Sequence, residues 1–294
     1  DENRHLFISQ YFRDNYDYWM SSLPNVTSGV VINRIEVWVT NKGNSTTDYD
    51  NSRNILAFKD LAEPSVIDNP IWTSTGANFP ACNEANNLYK NVVSVSGIRD
   101  IANASSVLKT AFPTLVGGDD YEKIESARKL SSNEYTLNEK LGFISLRSAL
   151  STDQVLAVAI EYTKGGKTYQ IGEFSTDASV NAPQVLVLKL LKNVSPTPSK
   201  STWKLMMKNV YSLGAYNMSA EDFQLDIKYK SDTTGVELPY ITEGNIKNKM
   251  LLSVMNLDNL NTQLQNVPDG FFDYVEGYTV LSSSGRVIFP SVEP

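Results

Sequence analysis

The chain has 294 residues, 41% of them hydrophobic, and a formal net charge of −7. That length suits about two domains with ordinary cores and excludes global disorder, while the acidic balance argues against a nucleic-acid partner, which needs a concentrated basic face. A single cysteine, Cys82, rules out an internal disulfide, and no run is apolar for long enough to span a bilayer as a helix.

Strand signals dominate in chain order. Ile35, Val37 and Val39 alternate with Arg34, Glu36, Trp38 and Thr40, and this period-two pattern predicts a half-buried strand. Asn41 to Asn51 reads as a loop. Ile98, Ile101, Leu108 and Phe112 share one helical stripe, predicting a helix within 98–112, and Tyr16 to Leu23, Trp203 to Tyr211 and Met250 to Leu260 are weaker helical patterns. Leu156, Val158, Ile160 and Tyr162 run into Gly165-Gly166, after which Thr168 to Phe174 resumes. Two glycines between strand patterns supply the positive φ angles of a tight hairpin. Ser195 to Ser199 is a second loop. Phe223, Leu225, Ile227 and Tyr229 alternate with Gln224, Asp226, Lys228 and Lys230 and predict another strand.

These blocks recur in one order. His5 to Ser9 matches Gln184 to Leu188, and a Trp-bearing helical pattern follows each, with Trp19 and Trp203. Ile35 to Val39 matches Leu225 to Tyr229, and Tyr121 to Glu125 matches Phe272 to Glu276. Tyr135-Thr136-Leu137 with Gly142-Phe143-Ile144 matches Tyr278-Thr279-Val280 with Gly285 to Ile288. The expected fold is therefore α+β and strand-rich, in two diverged tandem units of mainly antiparallel sheet with a few packed helices. The first unit would be 1–150, with a helical insert at about 63–115. The second, 151–294, would open on the Gly-Gly hairpin. Asp1 to His5 and Pro290 to Pro294 look like neither a leader nor a tail, so the sequence reads as a piece of something longer.

Chemistry is sparsely signalled. The lone histidine, His5, stands beside a strand and suits packing. Cys82 has none of the neighbours that activate a thiol. Gly117-Gly118 and Gly165-Gly166 lack the flanking Lys-Ser/Thr of a phosphate loop. No enzyme activity is expected. The lysines at 189, 192, 200, 204 and 208 read as an interrupted, solvated cluster. Asp269-Gly270, Asp273 and Glu276 fall at positions five, six, nine and twelve of a calcium loop, making Asp269, Asp273 and Glu276 candidate ligands. Gln265 and Val267 at positions one and three are poor ones, and a simple turn at Pro268-Asp269-Gly270 explains the same residues. Trp38, on the polar side of its strand, is the best candidate for a carbohydrate platform, with cross-strand packing as the alternative.

Several long blocks resemble a known family. They are Tyr11 to Asp17, Arg34 to Asn41, Glu125 to Leu130, Met206 to Tyr216, Leu238 to Gly244 and Gly285 to Pro290. Together they are similar to the SprA (Sov) family, the outer-membrane translocon of the Bacteroidetes type IX secretion system, across nearly the whole chain except 63–115. The resemblance implies a very large outer-membrane β-barrel passing folded cargo, a link to gliding motility, and no catalytic residues or cofactor. It also implies partners: the remainder of the barrel chain, a PorV-type outer-membrane protein, a periplasmic plug and exported cargo. This segment lacks the regular strands of about ten residues that a pore wall requires. It is expected to be a soluble part of the translocon that caps or scaffolds the pore, on the extracellular face in preference to the periplasm. The alternative is a cell-surface module binding glycan or calcium.

Overall fold

The computed structural model describes residues 3–42, 51–177 and 179–294. The chain forms two compact units. The larger takes Ser28–Met207 and the chain up to Asn15; the smaller takes Tyr16–Thr27 and Lys208–Pro294. The architecture is strand-rich α+β with mostly antiparallel sheets, as the periodicity predicts.

In the larger unit the described elements begin with β1 (His5–Phe7) and α1 (Gln10–Met20), whose residues from Tyr16 onward count with the smaller unit. They continue through β2 (Val30–Val39), β3 (Ser52–Phe58), α2 (Leu88–Val93), α3 (Ala104–Ala111), β4 (Tyr121–Lys129), β5 (Tyr135–Asn138), β6 (Phe143–Leu146), β7 (Leu156–Lys164), β8 (Lys167–Ile171), β9 (Leu186–Lys192) and α4 (Ser201–Leu205). Six strands form one sheet in the order β2-β4-β3-β9-β7-β8. β2 also pairs with β7 along its whole length, from Val30 opposite Lys164 to Val39 opposite Leu156. That second pairing closes β2, β4, β3, β9 and β7 into a ring, as in a small barrel. Its interior is a cluster of Trp38, Ile55, Ala57, Ile124, Ala127, Ala157, Ala159, Leu186, Leu188 and Leu190, with Val155, Phe174 and Val180 beside them. The alanines leave the volume that the Trp38 indole fills, so small and large side chains alternate around the ring.

β7 and β8 meet at Gly165-Gly166, with φ of 57° and 75°, in the predicted hairpin. β9 is buried at every position. Leu186, Leu188 and Leu190 face the ring interior, which turns Val187, Lys189 and Leu191 to the outside. A strand buried on both faces needs a second layer over its outer face.

A separate three-stranded sheet has the order β1-β6-β5, all antiparallel. Before β6, Gly142 adopts φ 65°, and a Cβ there would lie 2.1 Å from the Phe12 ring. Helix α1 therefore packs at this turn only because position 142 has no side chain.

The smaller unit contains β10 (Val210–Ser212), β11 (Tyr229–Lys230), β12 (Glu237–Leu238), α5 (Leu251–Val254), β13 (Val280–Leu281) and β14 (Arg286–Ile288). Its core is Leu252, Leu257, Phe272, Val280 and Val287, with Met218, Phe223, Leu225, Ile227, Met255, Tyr274 and Phe289 packed around them. Between Tyr211 and Met250 no residue is fully buried.

Several expectations need correction. The boundary at 150 falls inside one unit, because β7, β8 and β9 complete the sheet that β2, β3 and β4 begin. Long-range pairing, which periodicity cannot reveal, overrides the sequence order. The strand expected at Phe223 to Lys230 narrows to its last two residues, Tyr229 and Lys230. The helices are shorter or displaced: α1 begins at Gln10, α3 at Ala104, α4 stops at Leu205 and α5 spans four residues. The insert 63–115 contains α2 and α3, the rest being turns and irregular chain. Within the 41–51 loop, residues 43–50 lie outside the described residues.

The tandem correspondence holds only in its last block. Val37 lies in the six-stranded sheet, whereas Ile227 lies in no strand, and the partner expected for His5 to Ser9 became β9 in the ring. The smaller unit does carry a three-stranded antiparallel sheet, β10-β14-β13, with the connectivity of β1-β6-β5. Gly285 stands before β14 at φ 63° as Gly142 stands before β6. A turn is shared as well. Gly118 N–H donates to Tyr121 O and the Asp120 carboxylate accepts Val116 N–H; Gly277 N–H donates to Val280 O and the Thr279 hydroxyl accepts Val275 N–H.

Candidate functional site

The densest set of buried charges lies in the larger unit, outside the ring. Lys189 on β9 stands beside Phe58 in the parallel β3–β9 ladder, and Lys59 follows immediately after β3. Both lysines are buried. Neither ammonium has water to solvate it, so each must find carboxylates.

Lys189 Nζ lies 2.6 Å from Glu63 Oε1 and donates to the Lys59 carbonyl. Both Glu63 oxygens accept the Gln10 N–H at 3.1 Å, so this carboxylate also satisfies the first turn of α1. Lys59 Nζ lies 2.8 Å from Asp120, 3.4 Å from Asp119 and 3.5 Å from Asp68. Asp119 is shared with Lys200 at 2.8 Å. Asp60 accepts the N–H groups of Asp68 and Asn69 at 3.0 and 2.9 Å. Asn86 donates to the carbonyls of Asp60 and Glu63 at 2.7 and 3.0 Å. Asp68 accepts the N–H of Ser201, in α4, at 3.0 Å. One network thus ties the chain after β3, the turn before β4, the start of α1 and α4 to the outer face of β9.

Carboxylates outnumber ammonium groups in this network, and burial adds to the imbalance. Burial pushes the Glu63 and Asp60 carboxyls above the usual carboxylate range, against the pull of Lys189 and their N–H donors. Desolvation lowers Lys59, but the hydrogen bond and charge of Asp120, with Asp119 and Asp68, outweigh it and hold the ammonium above its ordinary value. A lysine held protonated is no nucleophile and no Schiff-base former. Burial does lower Lys192, whose Nζ donates to the carbonyls of Thr152, Gln154 and Asn193 at 2.9, 2.8 and 3.2 Å. That cage of carbonyls uses all three of its protons.

A second buried knot is a fork. Arg99 meets both oxygens of Glu173 at 2.6 Å, Tyr89 donates to the same carboxylate at 2.9 Å, and so does the Val187 N–H at 2.8 Å. A cleft of ≈ 330 Å³ is lined by Arg128, Asn133, Glu134, Arg147 and Gln154 over Val39, Leu130, Leu146 and Leu150. There the Arg128 hydrogen bond holds Glu134 down to about 2.

The three candidate calcium ligands are placed in the smaller unit on separate tasks. Asp273 is buried and accepts the N–H groups of Leu260 and Asn259 at 3.0 and 2.7 Å. Asp269 accepts those of Thr262 and Phe271 at 3.0 and 3.1 Å. Glu276 accepts the Ser282 N–H. Among the described residues no three His, Cys, Asp or Glu side chains form a group that could hold a metal. Asp258, which by folding over could have substituted for the poor ligands Gln265 and Val267, instead accepts the N–H groups of Asp269 and Gly270 and fixes that turn.

Other sequence candidates are also placed. Trp38 is wholly buried inside the ring and offers no face to a sugar, because β2 is covered on both faces from Glu36 to Val39. His5 bonds Ser145 Oγ at 2.7 Å across β1–β6. Burial pushes the Cys82 thiol up to about 12, far from a thiolate at neutral pH. Lys189 and Lys192, expected to be solvated, are buried. Their signal was present in the sequence: two lysines interrupt the apolar run that starts at Val185, in a strand with no polar face. No helix among the described residues is long and apolar enough to cross a membrane.

The fold class that these elements define is a strand-rich α+β chain with charge-knotted loops. No protein-family model matches the chain, and no curated protein matches it.

Proposed function

We propose that the chain is a non-catalytic structural module of a protein-export translocon of the type IX, SprA-like kind, a soluble part that caps or scaffolds the pore at the extracellular face. The observation that carries this reading is the use made of the deepest ionisable groups. Lys59, Glu63, Lys189, Asp120 and Glu173 each meet an opposite charge or a main-chain group, so they brace loops against strands. The sequence resemblance supports the translocon assignment independently. Its blocks coincide with structural elements: Arg34 to Asn41 with β2, Glu125 to Leu130 with β4, Gly285 to Pro290 with β14.

Such a module acts by docking. Tyr216 and Phe271 in the smaller unit are 74% and 58% exposed, so both are accessible to a partner. A photo-crosslinking amino acid placed at either position in the parent protein, in cells, tests the proposal. Crosslinks to the barrel, a PorV-type partner or cargo are expected. Crosslinks confined to proteins outside the secretion machinery would overturn it.

A further inference from the structure

Residues Phe223 to Lys230 of the smaller unit carry the burial pattern of a strand with an incomplete ladder. Exposure alternates: Phe223, Leu225 and Ile227 are half-buried against the small core, while Gln224, Asp226 and Lys228 are exposed. Only Tyr229 and Lys230 pair, with Leu238 and Glu237. Among the described residues, the main-chain groups of 224–228 make no hydrogen bond. The side-chain half of a strand is in place and the main-chain half is missing.

The geometry says to which edge Asp226 and Lys228 turn their main-chain groups. Ser231 N–H donates to Val236 O, and Tyr229 stands opposite Leu238, so odd-numbered residues turn their main-chain groups toward the hairpin partner. In an antiparallel ladder that leaves Asp226 and Lys228 presenting theirs to the opposite edge. Such an edge accepts an extended strand and little else, because what it lacks is a row of alternating donors and acceptors.

We propose that the strand it takes is the same segment of a second copy, antiparallel about a two-fold axis through Ile227. In that register Asp226 faces Lys228 of the partner copy and Lys228 faces its Asp226. Leu225 then faces Tyr229 and Gln224 faces Lys230. Moving the axis to 226 sets Asp226 against itself, and moving it to 228 sets Lys228 against itself. Charge therefore selects one register, and the contact is isologous, as a two-fold dimer requires. The inference stands on this unit alone and does not depend on the translocon reading.

The test is sedimentation velocity on the full chain from about 1 to 200 µM, a range spanning weak edge-to-edge affinities. The wild-type chain should pass from monomer to dimer as concentration rises. Asp226→Lys and Lys228→Asp each set like charges opposite one another and should weaken association roughly tenfold. Both positions are exposed, so each variant should keep the wild-type circular dichroism. An equimolar mixture of the two sets opposite charges together again and should form a heterodimer at least as readily as the wild type. A wild-type monomer throughout, a dimer indifferent to both swaps, or a mixture that stays monomeric would each overturn the proposal.

Discussion

Glu63→Gln would leave the Lys189 ammonium buried beside a neutral amide. The lysine keeps the Lys59 carbonyl but loses the carboxylate at 2.6 Å. Breaking one side of a buried ion pair costs about 3–5 kcal/mol, against a total stability of about 5–15 kcal/mol for a domain. Glutamine still offers an oxygen to the Gln10 N–H, so the loss reports the charge and not the helix contact. Lys189→Met leaves the opposite charge alone. Because burial already raises Glu63, that carboxyl takes up a proton, and the cost should shrink as pH falls from 8 to 5. Combining Glu63→Gln with Lys189→Met sets an apolar thioether side chain beside a neutral amide. The double variant should cost only about 1–2 kcal/mol, most of it from the bond lost at the Lys59 carbonyl. Urea unfolding followed by tryptophan fluorescence suits the measurement, since Trp38 and Trp72 are buried in the same unit. A coupling energy of at least about 2 kcal/mol is expected. Additive single losses, or a Glu63→Gln loss below about 1 kcal/mol, would refute the claim that this pair holds the loops to β9.

Three further outcomes follow from the same structure. Gly142→Ala should cost about 2–4 kcal/mol in chemical unfolding, because its Cβ would meet the Phe12 ring at 2.1 Å, while Gly165→Ala, with open space around it, should cost about 1 kcal/mol through its left-handed backbone alone; equal losses would contradict the packing argument. Asp60 and Glu63 titrate above their unfolded values, so their contribution is full below the usual carboxylate range and is lost as pH rises through their folded values, whereas Glu134, held down to about 2, contributes above 4.5 and loses that contribution as pH falls toward 2; melting temperature across pH 3 to 8 should peak on the acid side of neutrality, with the exposed Arg128–Glu134 pair worth less than about 1 kcal/mol, and a steady rise to pH 8 would contradict this. Calcium at about 1 mM should leave the melting temperature unchanged, given that Asp269, Asp273 and Glu276 each accept main-chain N–H groups; a shift that disappears in Glu276→Gln would show that these carboxylates can regroup around an ion.

Local patterns in the sequence were legible where local physics decides. The Gly165-Gly166 hairpin follows from two residues that tolerate positive φ, and the burial of Val158 and Ile160 follows from their alternation. What the sequence hid was long-range. The alternation at 223–230 is real as a burial pattern, yet a strand needs a partner ladder, and nothing local supplies one. The ring joins strands separated by more than a hundred residues, so a boundary drawn at 150 from block order cut through it. The network at Lys59, Glu63 and Lys189 was missed because lysines were counted as surface charge. A lysine at the fifth position of Val185-Leu186-Val187-Leu188-Lys189 has no polar face to occupy and requires a buried acid, which the insert provides in Glu63.

The most direct test of the structural-module account is an in-frame deletion of residues 1–294 from the parent protein, with cargo release into the medium and entry of a large antibiotic measured in the same cells. The account predicts a barrel that still inserts, with export impaired or the permeability barrier opened. Normal export together with an intact barrier would contradict it.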